Sequence, residues 1–255
     1  MYLVYLGESG NTGNSVNDPN QPHHVHVGLL VHEGQSTSMS GEFNALCRRH
    51  FGSPPGEPGT PSALRPADVY QGRGPFAGWP PSRRHELIQD CLAIMIRRET
   101  PLIAAYVDKS HFARARAGGD NSHTPWQTPS ELVISRFLFA LNLFMDELNT
   151  SGLNHEQVMQ ASWPVKDFAL MVAANRKSVE PRFMTDYLRS EQGLDSSAVL
   201  ENLCYVGREQ SVGTQLANIC AYFARRWLQN PSASHPYFEA LRDGKVIQVI
   251  YPVQL

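Results

Sequence analysis

This chain opens with short runs of strand formers and later places its apolar residues at helical spacing. That order restricts the fold more than any other feature of the sequence. Residues 2–6, YLVYL, and 24–31, HVHVGLLV, are rich in strand formers. The first run is expected to stop at Gly7, where the turn-rich stretch Glu8–Gly13 begins. A helix is expected over 40–52, followed by Pro/Gly-rich loops over 53–60 and 72–81. Leu87, Ile88, Cys91, Leu92 and Met95 fall on one helical face, with Ser82 placed to cap its start. LIAAYV at 102–107 reads as a buried strand ending in Asp108, and 130–149 as a helix apolar enough to be covered on more than one side. A weak strand over 158–163, irregular helix over 165–190 and a strand over 199–206 complete the middle of the chain. Val212, Leu216, Ile219, Cys220, Phe223 and Trp227 then share one face of a last long helix. Strands cluster first and then alternate with helices, so the fold class is α/β, a mixed sheet covered by helices. No repeat or linker divides the chain, and 1–255 reads as a single domain.

Composition excludes several classes. Of 255 residues, 42% are hydrophobic and 18% charged, which suits a packed core and not a disordered chain. A net charge of −2 argues against nucleic-acid binding through a broadly basic surface, although a local groove can still be basic. Cys47, Cys91, Cys204 and Cys220 are far apart, lack a CxxC pair and sit in apolar stretches, so neither zinc nor a disulfide framework is expected from them. No secretory signal pattern opens the sequence and no apolar run approaches the length of a membrane span; the expectation is a cytoplasmic protein.

Four blocks of sequence point further. YLGESGNTG at 5–13, ALRPADVYQGRGPF at 63–76, AAYVDKS at 104–110 and REQSVGTQLANICAYFARRW at 208–227 occur in that order across nearly the whole chain. Together they resemble the motifs of the domain of unknown function 3800 family: a strand ending in Asp-Glu-Ser-Gly, a Glu-Leu-His segment with a GRGPF-like turn, a central strand, and a closing helix. The resemblance implies a ribonuclease-H-like fold, a nuclease ancestry and acidic residues that hold divalent metal. Two Mg²⁺ ions about 4 Å apart need several converging carboxylates.

This sequence departs from that pattern where the metal would sit. Gly7 replaces the first Asp, Ala63 the Glu before Leu64 and Arg65, and Asn218 the Asp of the last helix; the late-strand acidic position maps loosely onto Ala161–Trp163, without a carboxylate. Glu8 is adjacent to Gly7, but neighbours on a strand point to opposite faces. Asn218 offers a neutral amide oxygen and no charge. The expectation is therefore a cleft without a resident metal, formed by Glu8, Ser9, Asn11, Arg65, Asp68, Asp108, Lys109, Arg208 and Gln215. Arg65 and Arg208 can grip phosphate there or serve as ordinary solvated arginines. Ser9, Asn11 and the glycines around them can form an anion-binding nest or simply turn the chain.

His24 and His26 share a strand face and can chelate a metal given a third ligand, which spacing alone does not identify; an ordinary histidine cluster is the plainer reading. Arg225 and Arg226 are expected in the final helical turn, complementing its dipole. Trp79, Trp126 and Trp163 are readable as base-stacking or as packing residues. The resulting expectation is a non-catalytic, degenerate nuclease-like protein of bacterial type. It would bind nucleic acid, or a protein complex that does, as a subunit in a defence or mobile-element system. Two alternatives stand beside it: a hydrolase of altered chemistry using Glu8, Asp68 and Asp108 with Mg²⁺ or Mn²⁺, and an assembly module whose apolar helix at 130–149 packs on a second subunit in an oligomer.

Overall fold

The computed structural model describes residues 1–10, 16, 18–117, 128–151, 167–174, 198–207 and 211–252. Six strands form one sheet: β1 (Tyr2–Ser9), β2 (His23–His32), β3 (Leu102–Asp108), β4 (Ala169–Ala174), β5 (Val199–Val206) and β6 (Ile247–Pro252). Their order is β5-β4-β1-β2-β3-β6. β1, β2 and β3 form an antiparallel meander, while β4, β5 and β6 join in parallel to β1, β4 and β3 respectively. The helices are α1 (Glu33–Phe51), α2 (Pro66–Gln71), α3 (Pro81–Arg97), α4 (Lys109–Ala117), α5 (Pro129–Thr150), α6 (Val212–Gln229) and α7 (Pro236–Asp243). The architecture is the expected one, a ribonuclease-H-like mixed sheet flanked by helices.

Each face of the sheet has its own core. Tyr5, Val25, Val27 and Leu29 pack with Phe43, Leu87, Leu92, Leu216 and Phe223, beneath α1, α3 and α6. Val4, Leu6, Leu30 and Ile103 pack with Leu132, Phe137 and Leu141 of α5. The period of two along β1 and β2 decides which side chain enters which core. Gly28 lets α5 approach: a Cβ there would lie 2.4 Å from the Phe137 ring. Leu132, Val133, Ile134 and Ser135 are all buried, so this turn of α5 is covered on every side, where its apolar breadth predicted cover on more than one.

Several elements differ from expectation. β1 does not stop at Gly7 but continues to Ser9, because residues 7–9 stay paired with β2, Gly7 opposite Val27. α1 begins at Glu33, seven residues before the expected start; its polar first turns hide it from an apolar pattern, and His32 caps it by accepting from the Gly34 N–H. Pro80, not Ser82, precedes α3, with Pro81 in its first turn. ALMVAA at 169–174 is a strand, not helix: it lies between β1 and β5 and is buried on both faces, where its alanines fit a crowded sheet. The expected strand over 158–163 and the rest of the expected helix beyond residue 174 lie outside the described residues. Cys47, Cys91 and Cys220 are buried free thiols, whereas Cys204 is exposed, contrary to its apolar neighbourhood in sequence. Burial pushes the Cys47 thiol up to about 12 and holds those of Cys91 and Cys220 high as well, so all three behave as small apolar groups. Among the described residues, no helix is long and apolar enough to cross a membrane.

Candidate functional site

The end of β1, the start of α2 and the first half of α6 enclose a cleft of about 250 Å³, lined by Glu8, Ser9, Gly10, Leu64, Arg65, Pro66, Ala67, Asp68, Gln215, Asn218 and Tyr222. Five of the residues expected from sequence therefore meet here: Glu8, Ser9, Arg65, Asp68 and Gln215. Arg65 is exposed and immediately precedes α2, and Asp68 lies in that helix's first turn. Gln215 is buried, and its Oε1 accepts the Leu64 N–H at 2.9 Å, which ties the segment after Ala63 to α6. Asn11 and Arg208, the other two loop candidates, lie outside the described residues, as do Trp126 and Ala161–Trp163.

Gly7 and Asn218 explain the closeness of β1 and α6. A Cβ on Gly7 would fall 2.3 Å from the Ala217 carbonyl carbon and 2.6 Å from the Asn218 nitrogen. Strand and helix backbones thus touch where the resemblance places an aspartate side chain. Asn218 completes the junction: its Oδ1 accepts the Glu8 N–H at 3.2 Å and its Nδ2 donates to the Thr214 carbonyl at 2.7 Å. Its amide is engaged by the fold at both ends. Among the described residues, the lining does not suit two divalent ions: the glycine position has no room for a side chain, Asn218 supplies no charge, and Arg65 adds a positive one.

Asp108 and Lys109 are not among the lining residues. Asp108 ends β3, two strands from β1, and accepts the Ser110 N–H at 2.8 Å at the start of α4; desolvation tends to raise its pKa, but the Ser110 bonds prevail and hold it below the usual value. Lys109 is buried, and its Nζ donates to the Gly10 carbonyl at 2.9 Å, pinning the chain that leaves β1. Arg225 is a strut and not a dipole partner. The helix continues to Gln229, which leaves only Arg226 in the last turn, while Arg225 Nε donates to Ser9 Oγ at 2.9 Å and Nη1 to the Asn20 carbonyl at 3.3 Å. Trp79 packs against Phe51 and Phe76 under the Arg83 guanidinium.

Glu8 contributes its backbone to the cleft and turns its carboxylate to the opposite face of the sheet. In the β1–β2 register it stands opposite His26, and its Oε2 lies 3.8 Å from His26 Nε2. His24 is two residues along β2 on the same face, and ligand atoms of Glu8, His24 and His26 lie within 4.8 Å of one another. Sequence spacing identified the two histidines but not the carboxylate. The loop between β1 and β2 is long, so nothing local fixes the register that brings residue 8 opposite residue 26.

Compared with known proteins, the sequence matches no family model, and no curated protein matches it significantly.

Proposed function

We propose that this chain is a non-catalytic, ribonuclease-H-like subunit that binds nucleic acid at the cleft between β1, α2 and α6. The observation that supports this reading is the backbone contact at Gly7. Catalysis by paired Mg²⁺ needs convergent carboxylates at the end of the first strand, and here that space is taken by α6. What remains, among the described residues, is a small polar cleft lined by Asp68, with the exposed Arg65 beside it. A guanidinium in that place suits a phosphate, held without cleavage. The alternative of a hydrolase built on Glu8, Asp68 and Asp108 has weaker support, since these carboxylates point to different places.

The test has two parts. Purified protein incubated with Mg²⁺ or Mn²⁺ is expected to leave single- and double-stranded DNA and RNA uncut, and fluorescence anisotropy with labelled oligonucleotides is expected to show binding that Arg65→Ala weakens about tenfold. A metal-dependent cut abolished by Glu8→Gln, Asp68→Asn or Asp108→Asn would overturn the proposal.

A further inference from the structure

We propose that Glu8, His24 and His26 form a binding site for one divalent transition-metal ion, of the zinc class, on the α5 face of the sheet. The site goes beyond the cleft reading and lies across the sheet from it. Its geometry follows from two adjacent strands. His24 and His26 are spaced by two on β2 and so project to one side, and Glu8 on β1 stands opposite His26 in register. Gly28, two residues further along the same face, meets Phe137 of α5, which identifies that face.

Burial separates this cluster from an ordinary surface group of histidines. His24 is 2% exposed, His26 4%, and the Glu8 side chain 9%. Among the described residues, His24 Nε2 and both ring nitrogens of His26 have no hydrogen-bond partner. Buried polar atoms are nearly always satisfied, so these unpartnered ring nitrogens call for a water or an ion, and one ligand atom from each histidine lies within 4.8 Å of a Glu8 carboxylate oxygen. The 3.8 Å between Glu8 Oε2 and His26 Nε2 is too long for a hydrogen bond. It is within about 0.5 Å of the roughly 3.3–3.4 Å separation that two donors take when each bonds a tetrahedral ion at about 2.0–2.1 Å.

The donor set selects the ion. Two imidazoles and one carboxylate suit Zn²⁺, Co²⁺, Fe²⁺ or Mn²⁺ and disfavour Mg²⁺ and Ca²⁺, which prefer all-oxygen shells. Burial, then the neighbouring His26 ring and the Lys109 charge, hold the His24 pKa well below its usual value, and burial holds that of His26 down to about 4, so both rings present lone pairs at neutral pH. The Glu8 carboxylate supplies the one negative charge among the three donors. Lys109 is the nearby cation, and its ammonium is directed to the Gly10 carbonyl.

The experiment uses the full, tag-free chain stripped with chelator and titrated with Zn²⁺ and with Co²⁺ in a calorimeter. One ion per chain is expected, with X-ray absorption at the zinc edge showing nitrogen and oxygen neighbours, imidazole included, and no sulfur. Glu8→Gln and His26→Ala, each checked for folding by circular dichroism, are expected to weaken binding at least about 100-fold, because loss of a ligand costs no less than loss of its supporting partner. Asp68→Asn, in the cleft, is expected to bind as the wild type does. Absence of stoichiometric binding by the wild type, sulfur in the absorption spectrum, or undiminished binding by folded His26→Ala would each overturn the site. Loss on Asp68→Asn would do so as well, by placing the ion in the cleft. The nucleic-acid assay is read separately on metal-free protein, so the two readings fail independently.

Discussion

Gly7 is a residue whose role lies in what it leaves out. In an ordinary strand, replacing glycine by alanine gains about 0.5–1 kcal/mol from reduced backbone freedom. Here the added methyl would meet the backbone of Ala217 at 2.3–2.4 Å, and backbone cannot rotate aside as a side-chain tip can. Overpacking of this kind costs about 1–3 kcal/mol and more when an element must move, so the clash wins. Gly7→Ala is therefore expected to lower stability by about 3 kcal/mol, read as a lower urea midpoint at unchanged slope. A variant as stable as the wild type would mean that β1 and α6 are not in contact. The sequence shows a glycine at this position, where the resemblance leads one to expect a carboxylate. It could not show that the space had been closed, since Ala217 is 210 residues away. For the same reason Asn218 was legible as an uncharged amide and not as the clamp that joins Glu8 to α6.

Elements were legible wherever one face alone had to be apolar. α3 follows its pattern closely, since Leu87, Ile88, Cys91, Leu92 and Met95 form its buried face. α6 keeps its helical period although it is buried on nearly every side, and β3, buried on both faces, was legible as a short apolar run closed by Asp108. β4 was misread because a short strand buried on both sides has no alternation to display, and its alanines favour helix when taken locally. α5 combines a legible and an illegible part. Its apolar breadth announced a buried helix, whereas its start is set by a reciprocal cap: the Glu131 N–H donates to Thr128 Oγ1 and the Thr128 N–H donates to Glu131 Oε2, both at 3.2 Å. Such caps contribute about 1 kcal/mol. Thr128→Ala is expected to lower stability by that amount without changing fold, checked by chemical denaturation. A loss near zero would show that packing of Leu132 and Phe137 alone fixes the helix start.

Across the whole molecule, the buried histidines couple folding to acidity. The metal-free protein places His24 and His26 on the α5 face of the sheet, near Glu8 and Lys109, with His24 held well below 6.5 and His26 down to about 4. His23, on the other face beside Asp108 and Arg225, is also lowered, chiefly by burial. In the unfolded chain all three return to about 6.5. Between these values the unfolded state binds more protons than the folded one, so stability is full above about pH 6.5 and falls as the pH drops toward 4. Each histidine inside its window contributes a slope of about 1.4 kcal/mol per pH unit. The carboxylates with lowered pKa, Glu42 beside Arg97 and Arg98 and Asp108 at the start of α4, lose their contribution only at lower pH, below their ordinary values near 4, so the two effects separate along the axis. Thermal melts between pH 7.5 and 4.5 with chelator present are expected to show the decline beginning near pH 6.5, and His26→Gln is expected to flatten it. Saturating zinc would hold the rings deprotonated in the folded state and stabilise it by mass action, so at pH 7 it should raise the melting temperature of the wild type and leave that of His26→Gln unchanged. A melting temperature constant from pH 7 to 5 in the chelated protein would mean that these histidines are solvated in the folded state. The buried site between β1 and β2 would then not exist as described.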